Sequence, residues 1–115
     1  MEGNIFIGKN TYFNSGQIIT GKNSKIIIGN WCAIGYDVKI LSITHDVHNP
    51  TGKNKKILES DITIGNNVWI GSNVFIKEGI KIGNNAIIGA NTVVTKNVST
   101  NTIVGGVPAK LIRKI

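Results

Sequence analysis

The stretch that decides the fold is residues 64–93, IGNNVW-IGSNVF-IKEGIK-IGNNAI-IGANTV, in which five blocks of six residues follow one another without a break. Isoleucine opens every block, asparagine or glycine is the fourth residue, and the fifth is small or β-branched. A period of six matches neither the helical period of 3.6 nor plain strand alternation. It matches a short strand followed by a turn, because asparagine and glycine enter the left-handed backbone region at low cost.

The same period extends to both sides of this stretch. A turn at every sixth residue bends the chain by a constant angle, so three hexads close one coil and successive coils stack through parallel pairing. We therefore predict an all-β parallel β-helix of about five coils, with the first and fifth hexad positions pointing inward. Trp31 and Asn97 stand at fourth positions, where Trp31 breaks the turn code. The in-phase residues outside the stretch are Ile7, Phe13, Ile19, Ile28, Ile34, Ile40, Leu58 and Val94.

Composition supports this fold and a single domain, 1–115. The chain has 22 Ile and 9 Val against 3 Leu, and 14 Gly beside 15 Asn, a balance that suits strands and tight turns. The apolar runs are too short for a transmembrane span, and residues 1–4 lack the basic start of a signal peptide. We therefore expect a cytoplasmic protein without membrane insertion. The one cysteine, Cys32, is expected to be a small buried thiol.

Two segments leave the hexad pattern. Residues 46–57 carry Asn-Pro-Thr-Gly and three lysines, which predicts a protruding loop, and long loops in regular folds tend to be functional. The tail, 105–115, begins with Gly-Gly-Val-Pro and predicts a turn, followed by either a last strand or a short helix.

Charge is distributed unevenly along the chain. The net charge is +7, and no acidic residue follows Glu78, whereas four lysines and Arg113 do. A basic end favours a polyanion such as nucleic acid, an anionic membrane surface or a phosphorylated small molecule, or it serves solubility alone. Seven aromatic residues without a stacking motif argue against nucleic acid.

The hexads, the loop entered at 42–45, the stretch 64–71 and the tail motif 106–110 together resemble the hexapeptide-repeat acyltransferases, in particular the galactoside/maltose and polysaccharide O-acetyltransferases. The resemblance implies a left-handed β-helix that works as a homotrimer, with acetyl-CoA in a groove shared by two subunits. Galactoside acetyltransferases carry an N-terminal helical segment that helps to form the acceptor pocket. Here the repeat begins by residue 5, so the identity of the acceptor stays open.

The resemblance also implies site residues. His45 matches the catalytic histidine, and imidazole suits a general base because its pKa lies near neutral. A backbone carbonyl or a carboxylate such as Glu59 would orient its ring. The residues implied for acetyl-CoA are Trp69, Ser72, Ala90, Thr95, Lys96, Lys110 and Arg113. Those implied for the acceptor are Asn14, His48 and Trp69.

The function predicted from the sequence is transfer of acetyl from acetyl-CoA to a hydroxyl of a small carbohydrate or polysaccharide precursor. Three alternatives stay open: N-acetylation of an amino-sugar nucleotide, acetylation of serine, and a non-catalytic β-helix scaffold. A zinc enzyme on the same coil would need three histidine ligands, and this chain has only two histidines. No metal is therefore expected.

Overall fold

The computed structural model describes residues 4–115, so the first three residues of the predicted domain lie outside the described residues. None of residues 4–115 is helical, and hence no helix in this part of the chain could span a membrane. The strands, in chain order, are β1 (Ile5–Ile7), β2 (Tyr12–Phe13), β3 (Gly16–Ile19), β4 (Ile26–Ile28), β5 (Ala33–Ile34), β6 (Val38–Leu41), β7 (Ile43–His45), β8 (Ile57–Glu59), β9 (Ile62–Ile64), β10 (Trp69–Ile70), β11 (Phe75–Ile76), β12 (Lys81–Ile82), β13 (Ile87–Ile88), β14 (Val93–Val94), β15 (Thr102–Gly105) and β16 (Lys110–Lys114).

These strands form three parallel stacks and one hairpin. The first sheet contains β1, β4, β9 and β12, the second contains β2, β5, β10, β13 and β15, and the third contains β3, β6, β11 and β14. The chain visits the three sheets in turn, so each passage round them is one coil. Asn66 and Asn84, which hydrogen-bond in neighbouring coils, are 18 residues apart. Three hexads per coil are thereby confirmed.

The core consists of the two hexad positions that were predicted to point inward. Along β10 and the corner after it, for example, Ile70 and Val74 are at most 1% exposed. Each inward residue stacks on its equivalent in the next coil, as Ile70 does on Ile34 and Ile88. Burial of a β-branched side chain contributes roughly 1.5–3 kcal/mol, so this column is the main source of stability. Cys32 is buried in it, as expected.

Most corners are turned by residues with a positive φ, as the fourth hexad position predicted. Between the first and second sheets, Asn67 Nδ2 donates to Asn85 Oδ1 at 2.8 Å, and Asn85 donates to Asn101 in the same way at 2.9 Å. Trp31 occupies this corner one coil before Asn67 and adopts a φ of 61° in spite of its bulk. The prediction for Asn97 was wrong: in the last coil the left-handed residue is Asn101.

The reason for that difference is the length of the last coil. Asn85 and Asn101 are only 16 residues apart, and so are Lys81 and its partner Asn97. The corner that Asn97 occupies is therefore shorter than a full hexad turn. Its Oδ1 instead accepts a hydrogen bond from the backbone N–H of Lys81 at 2.8 Å.

The first coil departs from the predicted register. Ile19 was expected to point inward, but it is 36% exposed, and Ile18 packs against the core and pairs with Ile40. The turn before β3 is one residue shorter than its equivalent in the next coil, because Gly16 already pairs with Val38. A Cβ on Gly16 would collide with the carbonyl oxygen of Val38, and its φ of 134° also favours glycine.

The predicted loop is an antiparallel hairpin, which we call the hairpin and define as residues 43–59. Strands β7 and β8 pair in the register Ile43 with Glu59 and His45 with Ile57, and 46–56 connect them. Residue 57 therefore belongs to a strand, and the excursion starts at residue 43. Leu58 was expected to continue the inward column, but it is 49% exposed because the hairpin leaves the coil.

The tail ends the coil as a strand, which decides between the two alternatives that the sequence left open. Strand β16 runs antiparallel to β15, with Lys110 opposite Gly105 and Arg113 opposite Ile103. All five residues of β16 are exposed.

Candidate active site

The hairpin overhangs the outer side of the third sheet and borders a depression that contains His45. This His45 depression has a volume of about 690 Å³. Its floor is formed by Phe75 and Val93, which pair with each other on β11 and β14. The other lining residues are Ile43, Thr44, His45, Asp46, Val47, His48, Leu58, Lys77, Glu78 and Thr95. The structure thus brings three of the predicted site residues together: His45, His48 and Thr95.

The ring of His45 is oriented by the backbone of its own loop. Its Nδ1 lies 2.5 Å from the carbonyl oxygen of Pro50, and since a carbonyl only accepts, Nδ1–H donates. The Pro50 segment is held by hydrogen bonds from Asp46 N to Lys56 O at 2.9 Å and from Lys56 N to Asn49 O at 2.8 Å. In the neutral ring, Nε2 then carries the lone pair that can accept a proton. Of the two predicted orienting groups, the structure has the backbone carbonyl.

Glu59 does not orient the His45 ring, because its carboxylate and the ring nitrogen Nδ1 have different hydrogen-bond partners. Its Oε1 accepts hydrogen bonds from Ser24 Oγ at 2.7 Å and from Asn23 N at 3.1 Å, both in the preceding coil. The residue therefore ties the end of the hairpin to the solenoid.

His48 lines the same depression from the loop. Its backbone N–H donates to Asp46 Oδ1 at 2.9 Å, which closes a tight turn after β7. Its side chain is exposed. Position alone therefore allows contact with a ligand held under the hairpin.

A second depression lies at the corner between the second and third sheets. This Trp69 depression has a volume of about 390 Å³ and contains the predicted residues Trp69, Ser72 and Ala90. The Trp69 ring is 59% exposed, as the outward sixth hexad position predicted. Ser72 Oγ accepts a hydrogen bond from Tyr36 N at 3.1 Å, so its hydroxyl hydrogen is available to a ligand.

The other predicted residues lie apart from both depressions. Lys96 lines a smaller depression of about 250 Å³ at the end of the last coil, together with Lys114. Lys110 and Arg113 project from β16 and are exposed. Asn14 is at the same corner as Ser72 but two coils earlier, where its N–H donates to Ile34 O at 3.1 Å.

Within one chain, the predicted residues are therefore divided between different corners. The Trp69 depression lies before the third sheet along the coil and the His45 depression lies after it. Strands of the third sheet separate the two. Neither of these two depressions contains both His45 and Trp69.

Sequence reasoning missed the floor and rim of the His45 depression. Phe75 and Val93 hold sixth hexad positions 18 residues apart, so the stacking of outward positions could have identified them. Lys77 and Glu78 form an ion pair with a separation of 3.6 Å beside them. The contact to Pro50 had no signal in the spacing of the hexads, because it depends on how the loop closes. Across residues 4–115, no three His, Cys, Asp or Glu side chains cluster as metal ligands would.

Comparison with known proteins places this architecture in a family. A family model for the bacterial transferase hexapeptide (six repeats) matches residues 61–96. The galactoside O-acetyltransferase of Escherichia coli K12 is 42% identical over 112 residues, which cover 97% of this chain and 55% of that protein. A galactoside acetyltransferase solved in complex with coenzyme A superposes with a TM-score of 0.88 at 40% identity, over 98% of this chain and 56% of that one.

A hexapeptide-repeat acetyltransferase from Vibrio cholerae O1 biovar eltor, solved with acetyl coenzyme A, has a TM-score of 0.86 at 31% identity, over 97% of this chain and 61% of that one. The chain therefore belongs to the hexapeptide-repeat acyltransferase family, as the resemblance predicted. It spans little more than half the length of these relatives.

Proposed function

We propose that the protein is an O-acetyltransferase that moves acetyl from acetyl-CoA to a hydroxyl of a sugar or polysaccharide precursor, with His45 as general base. The observation that carries the proposal is the bond from His45 Nδ1 to the Pro50 carbonyl, which leaves Nε2 free to take a proton inside the His45 depression. The family supports the donor, because two relatives were solved with coenzyme A or acetyl coenzyme A.

In the proposed step, His45 Nε2 takes the proton of the acceptor hydroxyl as the oxygen attacks the thioester carbonyl carbon. A carbon–oxygen bond forms and the carbon–sulfur bond breaks. The proton then passes from the imidazolium to the departing CoA thiolate, which gives an acetyl ester and free CoA. A base of this kind contributes about 10²–10⁴-fold in rate.

The proposed donor site runs along the C-terminal coils. Trp69, Ser72 and Ala90 would contact the pantetheine and thioester, since they share one depression. The residues proposed for the adenosine and phosphate end are Thr95, Lys96, Lys110 and Arg113. The absence of acidic residues after Glu78 supports this, because phosphates meet only positive side chains there.

We propose a homotrimer with the active sites between subunits. The support is the division of the predicted residues between two corners of one chain. In a trimer whose third sheets face the axis, the His45 corner of one subunit adjoins the Trp69 corner of the next. Such an arrangement would also cover the half-buried Phe75 and Val93.

The acceptor would bind under the hairpin, where His48 is exposed, and against Trp69 and Asn14. A hydroxyl acceptor is favoured over an amine because the Escherichia coli relative is named as an O-acetyltransferase. An amino-sugar nucleotide, serine and a non-catalytic scaffold are the competing possibilities.

The left-handed sense of the coil, its count of about five turns, the single domain over 1–115 and the cytoplasmic location stay predictions.

The test of the reaction is a screen for release of free CoA from acetyl-CoA with glycosides, polysaccharide fragments, amino-sugar nucleotides and serine. We expect release with a carbohydrate and a product that hydroxylamine deacetylates, as it does esters. A product stable to hydroxylamine would point to N-acetylation. Failure to bind acetyl-CoA and to turn over any acceptor would contradict the proposal and favour a non-catalytic scaffold.

The shared site is tested by complementation. His45→Ala and Trp69→Ala are expected to be weakly active alone. Mixed, unfolded and refolded together, they should recover activity, because hybrid trimers contain interfaces with both native residues. Mixing two His45→Ala preparations is the control. No recovery in the mixture, or a monomer by light scattering at micromolar concentration, would contradict the shared site.

A further inference from the structure

A buried chain of hydroxyl groups runs under the base of the hairpin. Ser42, between β6 and β7, is fully buried, and Ser24, two residues before β4, is 4% exposed. Their Oγ atoms are 2.7 Å apart, and Ser24 Oγ is 2.7 Å from Glu59 Oε1. Hydroxyl groups in such surroundings are retained only when they are hydrogen-bonded, since an unpaired one costs about 1–3 kcal/mol.

The chemistry of Glu59 gives this chain a direction. An ionised carboxylate only accepts, so Ser24 must donate to Glu59, and Ser42 must then donate to Ser24. The backbone N–H of Asn23 donates to the same Oε1 at 3.1 Å. The carboxylate therefore accepts from one buried side chain, Ser24, and from one backbone group in the coil before the hairpin, and Ser24 in turn accepts from Ser42.

The space for this carboxylate is made by the coil beneath it. A Cβ on Gly21 would collide with Glu59 Oε1, so glycine at that position lets the side chain lie against the backbone. Just outside the two strands of the hairpin, Ser60 N donates to Ser42 O at 3.0 Å, and Ser42 N donates to Ile19 O in the preceding coil at 3.0 Å. Both ends of the hairpin are thus attached to the solenoid through the same small group of residues.

The register of the hairpin connects Glu59 to His45. Glu59 lies opposite Ile43, and His45 follows Ile43 by two residues. Opposite residues of an antiparallel pair project to the same side, and so do residues two apart in one strand. Glu59 and His45 therefore project from the same side of the hairpin.

We infer that Glu59 is a positioning residue: it fixes the angle at which the hairpin leaves the solenoid and thereby the place of His45 Nε2. This inference rests on the proposed function, in which Nε2 takes the acceptor proton. An error of about 1 Å in the position of a catalytic group can cost roughly 10²-fold in rate. Loss of the Glu59 contacts should therefore lower kcat, while the donor site at the Trp69 corner is unaffected.

The experiment compares three variants of Glu59 with a matched control. Glu59→Ala removes the acceptor and should lower kcat by about 10–100-fold, with the acetyl-CoA dissociation constant within twofold of wild type. Glu59→Gln keeps an amide oxygen for Ser24 and should retain kcat within about threefold. Glu59→Asp draws the carboxylate back by one methylene and should lie between them.

The control is Asp61→Ala. Asp61 Oδ1 accepts a hydrogen bond from Lys25 N at 2.9 Å, so this variant also removes one charge and one contact between the same two coils, but outside the hairpin. We expect its kcat to equal that of the wild type. Glu59→Ala leaves Ser24 and the Asn23 N–H without their acceptor, which weakens folding, so Ser24→Ala is measured too. It should also lower kcat, by a smaller factor.

Wild-type kcat in a folded Glu59→Ala would overturn the inference, as would equal losses in Glu59→Gln and Glu59→Ala or in Asp61→Ala. If Glu59→Ala does not fold, unchanged kcat in Ser24→Ala overturns it. The proposed function is tested separately by His45→Ala. If that variant is inactive and the Glu59 variants are normal, only the positioning role fails. If His45→Ala turns over normally, the proposed function fails whatever Glu59 does.

Discussion

The solenoid and the hairpin are stabilised in different ways, although strand β6 of the solenoid leads almost directly into strand β7 of the hairpin. In the solenoid every inward residue stacks on its equivalent in the next coil, so the same local contact is repeated, as for Ile34, Ile70 and Ile88. In the hairpin the apolar residues Ile57 and Leu58 are about half exposed, and the attachment is polar, through Ser42 and Glu59.

The comparison teaches where chemistry can be placed on a repeat. A coil with every corner and inward position committed to packing has little freedom to carry a reactive group. The hairpin breaks the repeat once, and within it His45 projects over the outer side of the third sheet with its ring held by a carbonyl of the loop. Four predictions test whether stability depends mainly on the solenoid and catalysis mainly on the hairpin.

The largest effect is expected at the hairpin, in catalysis. His45→Ala should lower turnover by about 10²–10⁴-fold, because a general base is lost. The thermal midpoint should hardly move, since the exposed ring is not part of the core. Steady-state CoA release, calorimetric binding of acetyl-CoA and thermal melts measure the three quantities.

His48→Ala is the matched control for that experiment, because His48 lines the same depression without the bond to Pro50. We expect it to keep turnover within about tenfold. Wild-type turnover in His45→Ala together with a large loss in His48→Ala would show that the base is His48 and that the proposed assignment to His45 is wrong.

The next largest effect is expected in the solenoid, in stability. Ile70→Ala should lower the free energy of unfolding by about 2–5 kcal/mol, because it opens a cavity in a fully buried column. Leu58→Ala in the hairpin removes a similar side chain that is half exposed and should cost less than about 1 kcal/mol. Denaturant melts at equal protein concentration make the comparison, and similar losses in both variants would refute it.

A smaller effect is expected at the tail. The double variant Lys110→Ala with Arg113→Ala should weaken acetyl-CoA binding about tenfold, or roughly 1.4 kcal/mol, with a larger effect at low salt. Removing Lys53 and Lys55 from the hairpin loop takes away the same charge and should change the dissociation constant much less. Dephospho-CoA should be less sensitive to the tail variant. Equal acetyl-CoA binding by the tail variant and the wild type would show that Lys110 and Arg113 do not contribute to the donor site.

The smallest effect is expected at Trp31. A bulky residue in the left-handed region costs about 1–2 kcal/mol, and asparagine tolerates it better. Trp31→Asn should therefore raise the free energy of unfolding by about 1 kcal/mol and would place an amide at the same corner as Asn67, one coil before it. Tyr36→Asn, at an exposed position without positive φ, is the control and should bring no gain. A loss of stability in Trp31→Asn would show that the indole contributes packing at this corner.

Most of the coil was predictable because its code is local and repeated. The first hexad position is isoleucine in five successive repeats, so the inward direction of each repeat is supported by the four others. These residues are Ile64, Ile70, Ile76, Ile82 and Ile88. The failures lie where the repeat changes length. Ile19 follows a turn that is one residue shorter, and Asn97 lies within a corner that is two residues shorter. Leu58 keeps the period, but its strand has left the coil.

The candidate site was predictable as a set of residue types and only partly as an arrangement. His45, His48 and Thr95 do meet in one depression, and Trp69, Ser72 and Ala90 meet in another. The sequence could not reveal that the third sheet separates these groups, since hexads specify which side a residue faces and not which corners one ligand can reach.

By itself, the sequence determined the parallel coil, its three hexads per turn, its core and the single interruption, because each depends on contacts between neighbouring repeats that a period of six already encodes. Only the tertiary structure decided that the interruption is a hairpin, that Pro50 holds the His45 ring, and that Glu59 reaches back to Ser24 across 35 residues of chain. Such contacts join segments that follow no common period, so their geometry depends on how the loop closes on the folded coil.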